Sequence, residues 1–121
     1  MPATATAIIA AFNLLCTGTT SEPGLFGISK TPSAAEYRVN LDTGQWCDGA
    51  CAALSKIAEI SPSRVILRDD PYDPSRNFFY RALLLIDRTN GEFTLIAARQ
   101  VTKGTCVKKE FTGFPVPAVK F

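Results

Sequence analysis

Histidine occurs nowhere in this chain, methionine only at position 1 and tryptophan only at position 46. Without imidazole the sequence lacks the commonest general base and the commonest metal ligand, so acid–base chemistry would fall to Asp, Glu or Lys. No apolar run reaches the roughly 20 residues that a membrane-crossing helix needs. A Gly-rich phosphate loop is missing, and so is a strand–Gly–helix pattern that could cradle a nucleotide. No internal repeat of fixed period is found. Residues 41–45 and 86–92 look alike because both carry Asp/Thr/Gly turn chemistry.

The 121 residues are 46% hydrophobic and 20% charged, the balance of a folded domain rather than a disordered tail. That length accommodates one domain with a thin core, to which covalent staples would add noticeably. Residues 1–10 read as an apolar stub, the possible remnant of a signal peptide, and 11–121 as a single β-rich domain. The stub has no positive n-region. Leu15 stands where lipidation of Cys16 would require a small residue. The net charge of +2 divides into −2 over residues 1–63 and +4 over 64–121. That is a mildly basic half, short of a nucleic-acid footprint.

Four cysteines, Cys16, Cys47, Cys51 and Cys106, are an even number in a short chain, the usage of exported disulfide proteins. Three pairings are open. The favoured one clips Cys47 to Cys51 locally and staples Cys16 to Cys106 between the first and last strands. A four-thiolate zinc site is the competitor, but it usually draws on two short Cys pairs and here only one pair is close. A redox pair is the other, since Trp46-Cys47-Asp48-Gly49-Ala50-Cys51 is similar to a Trp-Cys-x-x-Cys motif. It has one residue too many, and Asp48 disfavours a thiolate. The bonded reading places the protein in the periplasm or outside the cell, with the incomplete leader leaving the cytoplasm open.

Period-two alternation marks strands at Phe12, Leu14 and Cys16 and again at Tyr37, Val39 and Leu41. Between them, residues 18–33 are rich in Gly, Thr, Ser and Pro and read as a loop with a hydrophobic tuck at Leu25-Phe26. A helical turn or two is expected over 52–57. Ser61-Pro62-Ser63 joins 57–60 to 65–68, either as a hairpin or as a helix end followed by a strand, and 69–76 reads as a loop. Runs 78–87 and 92–101 are expected to pair as a hairpin joined by Arg88-Thr89-Asn90-Gly91, whose Asn-Gly favours a tight primed turn, with 82–85 central in its sheet because both its faces are apolar. A last strand is expected over 105–111. The fold class is mainly β: a small antiparallel sandwich or barrel of six or seven strands with at most one short helix.

Leu41-Asp42-Thr43-Gly44 is the sharpest catalytic lead, because dimeric aspartic proteases place one Asp-Thr-Gly in a chain of this length and share a proton across two carboxylates. Here Gln45 and Trp46 follow where a small residue belongs, and no apolar-apolar-Gly segment comes later. A hairpin turn explains the motif better. Asp69, Asp70 and Asp73 could offer oxygens to calcium, yet the loop lacks the glycine and distal Glu of an EF-hand. The duller reading is solvated loop carboxylates. Six arginines between Arg64 and Arg99 lie beside Phe78-Phe79-Tyr80, the ingredients of a single-strand groove. Five acidic residues in the same window nearly cancel them. Neither a nucleic-acid partner, a metal nor a cofactor is expected.

Phe12-Asn13-Leu14-x-Cys16-x-Gly18, Tyr37-Arg38-Val39-Asn40-Leu41-Asp42, Trp46-Cys47 with Cys51, Ile57-Ala58-x-Ile60, Asp87-Arg88, Gly104-x-Cys106, Phe111-x-Gly113-Phe114-Pro115 and Lys120-Phe121 form a set of short motifs. Together they resemble a group of small exported alphaproteobacterial proteins to which no activity is assigned. The resemblance spans most of the chain. It implies export, paired cysteines and a β-rich domain. The expected function is a non-catalytic binding or structural module of the cell envelope, with a protein or small-ligand partner. The alternative is a carboxylate-dependent hydrolase using Asp42.

Overall fold

Alternating side chains set the first strand, and cross-strand pairing carries it further than composition suggests. In the computed structural model, which describes residues 10–70 and 82–115, β1 (Ala11–Gly24) turns Leu14 and Cys16 into the interior and leaves Leu15 and Thr17 exposed. It pairs over its whole length with β2 (Gly27–Asn40), on which Tyr37 and Val39 are buried. The chain continues through β3 (Gln45–Asp48), the two-residue β4 (Ser55–Lys56) and β5 (Glu59–Ile60), then β6 (Arg64–Asp70), β7 (Ala82–Asp87), β8 (Glu92–Ala97) and β9 (Gln100–Lys109).

These strands form one antiparallel sheet in the order β4-β3-β2-β1-β9-β8-β7-β6-β5, curled into a half-barrel. Because every neighbouring pair is antiparallel, β4 and β5 must run in the same direction. The run 55–60 therefore acts as one strand, bonded to β3 by its first half and to β6 by its second. At the crossing point Ile57 N–H donates to Gly44 O (2.8 Å) and Ala58 N–H to Ile66 O (2.9 Å). The strands run up and down around the interior, with 55–60 shared between the two ends of the sheet order. The last strand returns beside the first.

Cys16 and Cys106 lie directly opposite each other in the β1–β9 ladder and are disulfide-bonded, their Cα atoms 4.0 Å apart. Cys106 N–H points away, to Gly91 O (2.7 Å), so this is a non-hydrogen-bonded pair, the register in which cross-strand side chains come closest. Cys47 and Cys51 form the second bond, a clip after β3, and no cysteine is free. The core is the apolar inner face: Leu14, Val39, Ile57, Val65, Leu67, Leu84, Ile86 and Phe93, with Tyr37 against Trp46 edge to face at 6.0 Å. Leu67 is the extra residue of a β-bulge between Ile66 and Arg68, which lets both it and Ile66 be buried.

On the outside, the segment after β9 is held across β1 and β2. Asn13, 1% exposed, donates from Nδ2 to Glu36 Oε1 (2.6 Å) and Thr112 Oγ1 (2.9 Å) and accepts from Thr112 N–H (3.2 Å). Arg38 donates to Gly113 O (2.9 Å) and Gly49 O (3.1 Å).

The half-barrel differs from the expected six or seven strands in count, and from the expected elements in several places. There are nine strands and no helix among the described residues: 52–57, expected to be helical, lies in turns and β4, pulled into extended pairing by β3. Residues 18–33 are a two-stranded arm rather than a loop, because every residue from Gly18 to Gly24 has a partner on β2. The expected strand 92–101 is cut at Ala98-Arg99, where Ala98 takes φ 55° and the chain reverses into β9. The Arg88-Thr89-Asn90-Gly91 connection has the expected bounds, but Gly91 takes φ +77° while Asn90 has no positive φ, so it is not a primed turn; Gly91 N–H donates to Asp87 O (2.9 Å).

Candidate functional site

The register assembles one end of the half-barrel from the start of β1, the β2–β3 turn, the β7–β8 loop and the end of β9. A groove of about 430 Å³ opens there. Phe12, Leu14, Val39, Leu41, Val65 and Ile86 make its walls, and Asp42, Asp87, Arg88 and Lys108 stand at its mouth. An apolar concavity of this size with a few polar groups at its rim is the form of a small-molecule site.

Each rim charge has a local cause. Lys108 sits at the inner-face position opposite Leu14, and its ammonium lies 5.0 Å from the centre of the Phe12 ring, a cation–π contact. Asp87 ends β7, where its carboxylate accepts from Thr89 Oγ1 (2.5 Å) and Thr89 N–H (2.8 Å). The Thr89 hydroxyl, and then its amide, hold this carboxyl below the usual carboxylate range. Arg88 reaches back to Ser61 O (2.7 Å).

A second cavity, about 550 Å³, lies along the seam between β3 and β6. Trp46, Asp48, Lys56, Arg68, Asp69 and Asp70 are among its lining residues. The Leu67 bulge brings Arg68 into register with the inward Leu84. Trp46 Nε1 is buried there without a hydrogen-bond partner among the described residues. Burial, and next the nearby Asp48 carboxylate, push the Tyr37 phenol above its ordinary value.

The residues singled out from sequence are placed as follows. Asp42 is exposed at the β2–β3 corner, where Asn40 Oδ1 accepts from the Asp42 (3.0 Å) and Thr43 (3.2 Å) amides and Gly44 takes φ +69°. It shares the groove mouth with Asp87. Asp69 and Asp70 belong to β6 instead of a loop, and Asp70 pairs with Arg68 at 2.6 Å. Asp73, Arg76, Arg81 and Phe78 to Tyr80 lie outside the described residues. Of the remaining arginines, Arg64 pairs with Glu59 (2.7 Å), while Arg88 and Arg99 sit in loops at opposite ends of the sheet. No group of three or more potential metal-ligating side chains occurs among the described residues.

Sequence reasoning did not single out Lys108 or the Phe12–Leu41 wall as a site. One signal was there to use. Lys108 falls on the inward parity of a strand carrying Cys106, where an apolar residue is the rule. No protein-family model, curated protein or solved structure matches this chain.

Proposed function

We propose that this protein is a non-catalytic binding module of the cell envelope, which holds a small amphipathic molecule in the groove between β1, β2, β6 and β7. The observation that carries this reading is the apolar wall ending in charged side chains: an alkyl or ring portion would replace water along the half-buried Phe12 and Leu41, over the buried Leu14 and Ile86, leaving a polar head among Asp42, Asp87 and Lys108. The two disulfides support an oxidising compartment, periplasmic or secreted, as does the resemblance to small exported proteins. No described helix is long and apolar enough to cross a membrane.

The test is a titration of the oxidised chain with N-phenyl-1-naphthylamine, followed by displacement with decanoate. The expected result is saturable, blue-shifted emission with one probe per chain, weakened about tenfold or more by Leu41→Arg at the half-buried rim. Linear, unsaturable emission with an unchanged melting temperature would count against the reading.

A second reading is favoured by one feature, the pair of carboxylates Asp42 and Asp87 at a single mouth. It is a carboxylate-dependent hydrolase in which Asp42 acts as the base. Hydrolysis of model esters or peptides by the wild type, abolished in Asp42→Asn at unchanged stability, would establish it over the binding module.

A further inference from the structure

From Glu22 to Pro32 every residue of the β1–β2 arm is exposed. Strand β9 leaves the ladder where Ser21 meets Val101, and three more pairs carry the arm onward: Glu22 with Ser29, Pro23 with Ile28 and Gly24 with Gly27. At about 3.4 Å per residue, the tip stands roughly 10–13 Å beyond the last β1–β9 pair and about 7 Å beyond the β8–β9 turn. That tip is apolar. Leu25 is 98% exposed, Phe26 102% and Ile28 69%.

The surroundings of the tip indicate what covers it. Lys30, Arg99 and Lys103, all exposed, form a cationic collar at the base of the projecting part. Glu22 is the only acidic residue within 17–34 or 94–105, and it receives a hydrogen bond from Gln100 Nε2 (3.2 Å). Pro23 lies on β1 beyond β9 and Pro32 on β2 beyond β3, so each free edge of the arm carries a residue without an N–H. Such edges resist strand addition by another chain. What is left to be buried is the tip itself, with positive charge behind it.

We propose that the arm is a membrane-surface anchor, in which Leu25, Phe26 and Ile28 enter the headgroup–acyl boundary of an anionic bilayer while Lys30, Arg99 and Lys103 meet its phosphates. The projection matches the depth of such insertion, about 5–10 Å for an interfacial apolar element. It also keeps the collar within a Debye length, about 8 Å at physiological salt, of the charged surface. The arm leaves the half-barrel at the end opposite the groove mouth, so this proposal does not depend on the groove having a ligand.

Flotation of the oxidised full chain with phosphatidylcholine vesicles, with and without phosphatidylglycerol, tests it. Binding is expected to the anionic vesicles, and Phe26→Trp emission should shift to the blue on adding them. Leu25→Ser with Phe26→Ser should weaken that binding about tenfold or more. Lys30→Glu with Lys103→Glu should remove the preference for the anionic lipid. Both pairs of changes are at exposed positions and should leave melting temperature and naphthylamine binding as in the wild type. Absence of vesicle binding, or binding that survives the double Ser variant, overturns the proposal. Self-association abolished by that variant, without vesicle binding, overturns it in favour of a second copy as the partner.

Discussion

Gly18 and Gly104 oppose each other across β1 and β9, two residues from the Cys16–Cys106 bond, and the strands approach so closely that neither position has room for a methyl group. A Cβ on Gly18 would lie 2.1 Å from Lys103 O, and one on Gly104 2.0 Å from Thr17 O. Both obstacles are backbone, so no side chain can swing aside. Gly104→Ala should therefore cost about 3 kcal/mol or more, at or above the upper end of ordinary overpacking. Urea denaturation at neutral pH measures it. By contrast Gly49→Ala, whose Cβ would meet only ordinary contacts from 3.6 Å outward, should be close to neutral.

The two disulfides close loops of very different length, 90 residues apart in one case and 4 in the other. Chain-entropy arguments give about 4–5 kcal/mol for the long loop and about 2 kcal/mol for the short one. Replacing Cys16 and Cys106 together by Ala should lower stability by roughly twice as much as replacing Cys47 and Cys51. Equal losses in matched denaturation curves would show that cross-strand packing, rather than loop closure, governs both.

Much of the fold was legible where one face of a strand is apolar. Leu14 and Cys16, then Tyr37 and Val39, follow the two-residue period, and the staple between first and last strands follows from β9 lying beside β1. The arm 18–33 was not legible, because its Thr, Ser, Gly and Pro residues face water on both sides and carry no hydrophobic alternation. Pairing with its own other half, and with β9 as far as Ser21, makes it β. The reversal at Ala98 was hidden too, since no glycine or asparagine marks it. The groove was legible only in part. Its wall residues look like any core strand, and their surplus over what the interior fills depends on curvature that local sequence does not encode. Asp42 illustrates the converse. Its Asp-Thr-Gly reads as chemistry, yet Asn40 and Gly44 explain the turn, and its place at the groove mouth comes from the way β2 and β7 end together.

Asn13 is a buried polar residue that ties the segment after β9 to the sheet through Glu36 and Thr112. Replacing it with Leu leaves the Thr112 amide and hydroxyl without that partner, in a part-buried place. The expected loss is about 1–3 kcal/mol. Hydrogen exchange should locate the effect: amides of residues 110–114 should lose protection while those of β7 and β8 keep theirs. Uniform loss across the sheet would mean that Asn13 supports β1 itself instead of the segment laid over it.

Asp87 gives stability a dependence on acid. Its folded-state carboxyl titrates below its ordinary value because Thr89 donates two hydrogen bonds to the charged form. A depressed carboxylate contributes stability that is present above the unfolded value, about 3.9, and is lost as pH falls through the folded one. Thr89→Ala should therefore be less stable than wild type at pH 7, and the difference should shrink as the pH falls from about 4 towards 2. Urea midpoints taken across that range test the sign.

Tyr37 makes the opposite, alkaline case. Burial in the interior, with Asp48 adding a repulsive charge, raises its phenol above the ordinary value of 10.0. A raised group contributes stability that is intact below the unfolded value and disappears as pH climbs through the folded one, because the unfolded chain ionises first. Between about pH 10 and 12 the wild type should lose stability faster than Tyr37→Phe, which has no proton to release. Lysine and arginine titration is common to both proteins, so the difference between their midpoints isolates the phenol. The absorbance of tyrosinate gives an independent reading: one tyrosine should resist ionisation until the chain unfolds, and that resistant fraction should be missing from Tyr37→Phe. If the two proteins instead unfold in parallel with rising pH, then the interior around Trp46 admits enough water to solvate a tyrosinate. The seam between β3 and β6 would then be wet through to its core.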